Sequence, residues 1–351
     1  MSCGAGELAG LVDVPRLEAW IGERLPGAGS PLEVRRITSG ASNEIFELRR
    51  AGHCFILRRP ARVPQVPPEN MLREFRVLSA LEGTPVPHPK PLLACDDPAV
   101  IGTFFYVMER IEGFTPRLPL PPPFDRDPAA RHGLGTALVE ALAALASVDW
   151  RAAGLEGLGR PAGYLERQVD RWLGQLERYR TRELPGLELV AGWLREARPK
   201  MGEPGLLHGD FQLANAMFHH GAPARLAALV DFEQSTIGDP LVDLGWLLAL
   251  WDEPGEEPIR GAGNARVNQQ AGFPTRAELA LRYAAASGRS LAELGWYEVL
   301  ALFKLACVLE GAYARHARGQ SGSPRHAGLA QMVPALLASA ARLVKAGGRP
   351  R

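Results

Sequence analysis

Asp210, Asn215 and Asp231 are oxygen-bearing side chains set first at an Asp-x4-Asn spacing and then at the end of the apolar run LAALV. They sit in the stretch GLLHGDFQLANAMFHHGAPARLAALVDFEQSTIGDP, which places polar side chains where a core would want apolar ones. A carboxylate at a strand end is positioned to face a cleft. Phosphoryl transfer to a hydroxyl needs this set of groups: a carboxylate beside the attacking oxygen, and oxygen ligands for a Mg²⁺ ion bridging nucleotide phosphates.

The elements that must position these groups are legible around them. From Glu33 to Arg59 the chain reads as three short strands, EVRRI, EIFELRR and HCFILRR, joined by the turns TSGASN and AG. Period-2 alternation in the third strand puts Ile56 and Arg58 on one face and Phe55 and Leu57 on the other. A Pro-rich break leads to MLREFRVLSALEG, where Leu72, Phe75, Leu78 and Leu81 recur at helical spacing and Gly83 ends the run. PVPHPKPLLAC and TFFYVMER supply two further strands. After the loop EGFTPRLPLPPPFDRD, the stretches AARHGLGTALVEALAALASVDW, GYLERQVDRWLGQLERYR and LELVAGWLREA are helical, and helices resume from LVDLGWLLALW to the C-terminus.

The spacing of Asp210, Asn215 and Asp231 matches the catalytic loop and metal-binding aspartate of the protein-kinase fold. The sequence resembles the aminoglycoside and choline phosphotransferase superfamily: its HGDxxxxN signature reads HGDFQLAN, and its DxE/DxG motif reads DFE. The resemblance implies Asp210 as catalytic base and Asn215 and Asp231 as magnesium ligands, with ATP as phosphoryl donor. It further implies that Ile56 lies over adenine, that Arg58 meets the α/β-phosphates, and that Glu74 holds Arg58 in place. Ser39, Gly40 and Ser42 would present amides and hydroxyls to the phosphates, and backbone groups near Glu109 and Ile111 would contact adenine. One departure is Arg58 itself, where the superfamily usually has lysine; a planar fork is not equivalent to a point charge. FILRRP resembles the branch whose kinase-like domain is joined to acyl-CoA dehydrogenases in larger proteins. So do ASNEIF, STIGDPLVDLGW and WYEVLALFKLACVLEGAYARHARG, and the resemblance runs from about Glu33 to about Gly319.

The expected architecture is a two-lobed α+β protein-kinase-like fold. Residues 1–112 would form a small antiparallel sheet lobe with one key helix, and residues 113–351 a larger helical lobe carrying the catalytic loop and acceptor site. The expected function is ATP- and Mg²⁺-dependent phosphorylation of a small-molecule hydroxyl, with a hydroxyacyl-CoA as the suggested acceptor. The alternatives are an aminoglycoside or other antibiotic kinase, or a nucleotide-binding scaffold without catalysis.

Several polar groups read as structural. His208 braces the loop, and Asp239 and Asp243 belong to a helix start at Pro240. His219 and His220 mark a hairpin tip, and Arg167 and Arg171 a solvated helix face. The acidic run WDEPGEEP reads as a solvated loop that a cationic substrate could use, whereas Arg167, Arg171, Arg315 and Arg318 would suit CoA phosphates. Glu233 stands open between a second metal contact and an exposed loop carboxylate.

The 351 residues are 46% hydrophobic and 23% charged with a formal net charge of +1, so no field argues for nucleic acid or a membrane surface. Cys3, Cys54, Cys95 and Cys307 are scattered without metal or disulfide spacing. With no basic-then-apolar leader and no stretch long enough to span a bilayer, the expectation is a soluble, cytoplasmic protein acting on small molecules.

Overall fold

The computed structural model describes residues 10–39, 43–61, 69–256, 266–320 and 326–348. After helix α1 (Val14–Ile21), the strands β1 (Glu33–Ser39), β2 (Asn43–Arg50) and β3 (His53–Pro60) run antiparallel. Helix α2 (Glu69–Leu81), strand β4 (Pro91–Cys95), the short helix α3 (Pro98–Ile101) and strand β5 (Phe105–Glu109) complete this part. The sheet order is β1-β2-β3-β5-β4. Alternation in β3 works as expected. Phe55 and Leu57 enter a core with Leu17, Ile21, Val100 and Ile101, while Ile56 packs on the opposite side with Met71, Leu78 and Tyr106.

In α2 the buried stripe differs from the expected one. Leu78 and Leu81 are buried, but Leu72 is 55% exposed and its place is taken by Met71 and Glu74. A spacing of three falls short of the 3.6-residue turn, so the run 72, 75, 78, 81 spirals half-way round the helix.

The helical part comprises α4 (Pro128–Ala146), α5 (Gln168–Glu177), α6 (Leu187–Glu196), α7 (Leu241–Ala249), α8 (Arg276–Ser287), α9 (Leu294–Ala317) and α10 (Leu329–Lys345). Helix α5 starts later than the sequence pattern, because Gly163 takes φ +64° and Tyr164 tucks into the core in a turn. Two small antiparallel pairs interrupt the helices: β6 (Gly205–Leu207) with β9 (Thr236–Gly238), and β7 (Ala216–Phe218) with β8 (Leu226–Leu229). His219, His220 and Gly221 lie in the turn between β7 and β8, as read from sequence.

Polar ties join the sheet part to the helical part. Arg73 on α2 donates to Leu158 O (2.6 Å) and Ser235 O (2.8 Å), and Leu229 N donates to Pro87 O (2.8 Å). Among the described residues no helix is long and apolar enough to cross a membrane.

Candidate active site

The loop from β6 to β7 is held from behind by helix α7. Asp243, in the first turn of α7 and fully buried, accepts the N–H groups of His208 (2.6 Å) and Gly209 (3.0 Å) through its two carboxylate oxygens. Burial pushes the Asp243 carboxyl up, opposed by His208 and these backbone donors. The His208 ring accepts from Asp210 N at Nδ1 (3.3 Å), so its Nε2 donates to Val230 O (3.0 Å), and the imidazole is spent on bracing. Gly209 takes φ +85°, and a Cβ there would collide with the Gln234 carbonyl. Asp239 accepts from Leu241 N (3.0 Å) and from the Tyr297 hydroxyl (2.8 Å), a structural role like that of Asp243.

The loop sets Asp210 beside Asn215 with three donors on its carboxylate. Oδ1 accepts from Gln212 Nε2 (2.7 Å) and Trp246 Nε1 (2.9 Å), and Oδ2 accepts from Asn215 Nδ2 (3.1 Å). Lys304 on α9 donates to Gly209 O (2.8 Å), with its ammonium 4.2 Å from the Trp246 ring centroid. Trp246, Gln212 and Lys304 were not singled out from the sequence. Trp246 lies in STIGDPLVDLGW, but no local pattern signals that its indole meets Asp210.

Asp231 takes a left-handed backbone (φ 73°, ψ 56°), uncommon for a residue with a Cβ and typical of functional loops. Its Oδ1 accepts from Arg58 Nη2 (3.0 Å), while Arg58 Nη1 donates to Glu74 Oε1 (2.7 Å). The same Glu74 oxygen accepts Phe232 N (3.0 Å). Arginine at this position thus engages two carboxylates through separate nitrogens, which a single ammonium would have to share. Burial drives the Glu74 carboxyl up, to about 7, against the pull of Arg58. Tyr106, the register partner of Arg58 on β5, is buried beside the pair.

A cleft of about 570 Å³ lies between sheet and helical part. Ile45, Ile56 and Met108 form its sheet wall, Met217 and Val230 the facing wall, and Arg58, Asn215 and Asp231 its charged end. Glu109 to Ile111 line its rim. The Glu109 amide donates to Lys90 O (2.9 Å) and the Glu109 carboxylate accepts Lys90 N (3.0 Å). Ser39 ends β1, whereas Gly40 and Ser42 lie outside the described residues.

Among the described residues no three His, Cys, Asp or Glu side chains converge as a metal-ligand set. The oxygen donors offered are the Asn215 amide and the Asp231 carboxylate, a pair that suits Mg²⁺, which retains waters and takes phosphate oxygens.

Two readings of charge need correction. Glu233 is not an exposed loop carboxylate: it is 7% exposed and accepts from Asn43 Nδ2 on β2 (2.9 Å). The acidic loop is not a solvated patch either. Asp252 is buried, and Glu256 and Glu253 pair with the buried Arg276, whose two terminal nitrogens reach Glu256 at 2.7 and 2.5 Å. Desolvating Arg276 requires nearby countercharge, and this loop supplies it; Glu257 lies outside the described residues. Of the basic residues, Arg167 is committed to the Arg160 and Ala162 carbonyls, Arg318 to Tyr179 O (3.2 Å), and Arg171 stacks over Trp172.

A small antiparallel sheet lobe and a helical lobe, closing on an Arg–Glu pair, an Asp-x4-Asn loop and a left-handed aspartate, define a protein of kinase-like phosphotransferase fold. The chain belongs to the APH phosphotransferase enzyme family, which matches residues 33–294. A Ralstonia eutropha structure described, without proof of activity, as an aminoglycoside phosphotransferase superposes with a TM-score of 0.79. It is 31% identical, and the match covers 94% of this chain and 98% of that one. Acyl-CoA dehydrogenase family member 11 from Rattus norvegicus is 35% identical over 89% of this chain and 40% of its own length. The human protein of that name is 34% identical over 95% of this chain and 43% of its own. The chain therefore spans less than half of these relatives.

Proposed function

We propose that the protein transfers the γ-phosphoryl group of ATP to a hydroxyl of a small molecule, and that this acceptor is a hydroxyacyl-CoA. The observation that carries the first part is that Arg58, Asn215 and Asp231 line a single cleft, with Asp210 hydrogen-bonded to Asn215 and Glu74 to Arg58. Ile45, Ile56, Met108 and Met217 offer apolar walls to a flat base, with Arg58 meeting the α/β-phosphates. Asn215 and Asp231 would hold a magnesium ion, which would supply positive charge to offset that of the phosphates. Asp210 orients the acceptor hydroxyl and takes its proton as the new O–P bond forms and the bond to the ADP oxygen breaks. Trp246, Gln212 and Asn215 hold that carboxylate in one orientation throughout.

The acceptor is argued from relatives and charge. Proteins at 34–35% identity carry the acyl-CoA dehydrogenase name and extend well beyond this chain. The acidic loop that would have welcomed a polycation turns its Glu253 and Glu256 carboxylates onto Arg276. The description of the Ralstonia structure favours the second reading, an aminoglycoside kinase. Incubating the protein with Mg·ATP and either 3- and 4-hydroxyacyl-CoA or kanamycin-type acceptors, with products read by mass, separates the two. Formation of ADP and a phosphorylated acyl-CoA is expected. Turnover of an aminoglycoside with none of any hydroxyacyl-CoA overturns the acceptor, and no ATP consumption with any acceptor overturns the catalytic reading.

A further inference from the structure

The hydrogen bond from Asn43 Nδ2 to Glu233 Oε2 joins residues 190 positions apart and ties β2 of the sheet part to the turn after Asp231. Asn43 is the first residue of β2, 8% exposed, and shares the charged end of the cleft with Arg58, Asn215 and Asp231. Glu233 lies two residues past Asp231 in the following turn, 7% exposed. A carboxylate so buried, with Asp231 and Asp210 as neighbouring like charges, needs a donor. Asn43 supplies it from the opposite lobe.

The Arg58–Asp231 pair spans the same gap, but bound phosphates and a metal compete for both of its charges. The Asn43–Glu233 bond is a second tie across this gap, made by a neutral donor. We propose that Asn43 is a positioning residue for the nucleotide phosphates. Through Glu233 it fixes the distance between the sheet wall that carries Arg58 and the loop that carries Asp231, and it keeps the Glu233 carboxylate turned toward the sheet. This rests on the nucleotide-binding reading above and adds to it a clamp between lobes that acts on the phosphate end and not on the base.

Calorimetric titration of the full chain with Mg·ADP, and separately with adenosine, tests the clamp. Asn43→Leu removes the donor at similar size and is expected to weaken Mg·ADP binding by ~10-fold while changing adenosine affinity by less than ~2-fold. Asn43→Asp sets carboxylate against carboxylate and should lose at least as much. Combining it with Glu233→Gln exchanges donor and acceptor and should restore Mg·ADP binding to within ~3-fold of the unaltered protein. The clamp is overturned if Asn43→Leu binds Mg·ADP normally, if the exchange is no better than Asn43→Asp alone, or if both ligands weaken equally. Failure of the unaltered protein to bind Mg·ADP at all would sink the nucleotide reading with it, a result distinct from these.

Discussion

The Asp210 carboxylate accepts from Gln212, Trp246 and Asn215, and this crowding of donors fixes which lone pairs remain for an incoming hydroxyl. Asp210→Asn keeps the shape but cannot take a proton. Turnover of any hydroxyl acceptor should fall by ~10²-fold or more with Mg·ADP affinity nearly unchanged, and near-normal kcat would remove Asp210 from the role of base. Trp246→Phe is a finer probe, because it keeps an aromatic ring under Lys304 and deletes only the N–H. A loss of ~10-fold in kcat at constant KM for Mg·ATP is expected, and a change in KM alone would contradict the assignment. The Asp210–Asn215 relation was legible because it is five residues long. The contact between Asp210 and Trp246 bridges 36 residues and leaves no periodic trace.

Helix α7 acts on the catalytic loop through Asp243, whose two oxygens cap two buried backbone N–H groups. Asp243→Ala strands both donors, and each stranded donor costs ~1–3 kcal/mol. Thermal unfolding should show a clear drop in Tm, larger than for Asp243→Asn, which retains one acceptor oxygen. An unchanged Tm in the alanine variant would deny the bracing role. On α2, side-chain direction makes a sharper contrast. Leu78 is 2% exposed and Leu72 is 55% exposed. Leu78→Ala should therefore cost ~2–5 kcal/mol, whereas Leu72→Glu should stay within ~0.5 kcal/mol. Chemical denaturation of the two variants decides whether the stripe runs through Met71 or through Leu72. The helix itself was legible from spacing, but the face it buries depends on what lies against it.

Across the whole molecule, charge is arranged so that buried ions meet partners from distant parts of the chain. Arg276, 4% exposed, gathers Glu253, Glu256 and the Trp251 carbonyl. Arg276→Met leaves that acidic loop without its cation, so stability should fall by ~2–4 kcal/mol with Mg·ADP affinity unchanged. Equal stability in denaturant would restore the solvated-loop reading. Sequence alone determined strands β1 to β5, helix α2 and the helical character of the C-terminal part, though not α1 or α3, together with the face of β3 that carries Arg58 and the HGDFQLAN and DFE motifs, because these depend on residues within one turn or strand of each other. Tertiary structure alone decided that Arg58 reaches Asp231 across 173 residues, that Asn43 holds Glu233, and that the acidic loop pairs with Arg276. Whether a charge is a ligand, a brace or a solvated group depends on which partners burial brings within hydrogen-bond reach. Distance in space sets that, and distance along the chain does not record it.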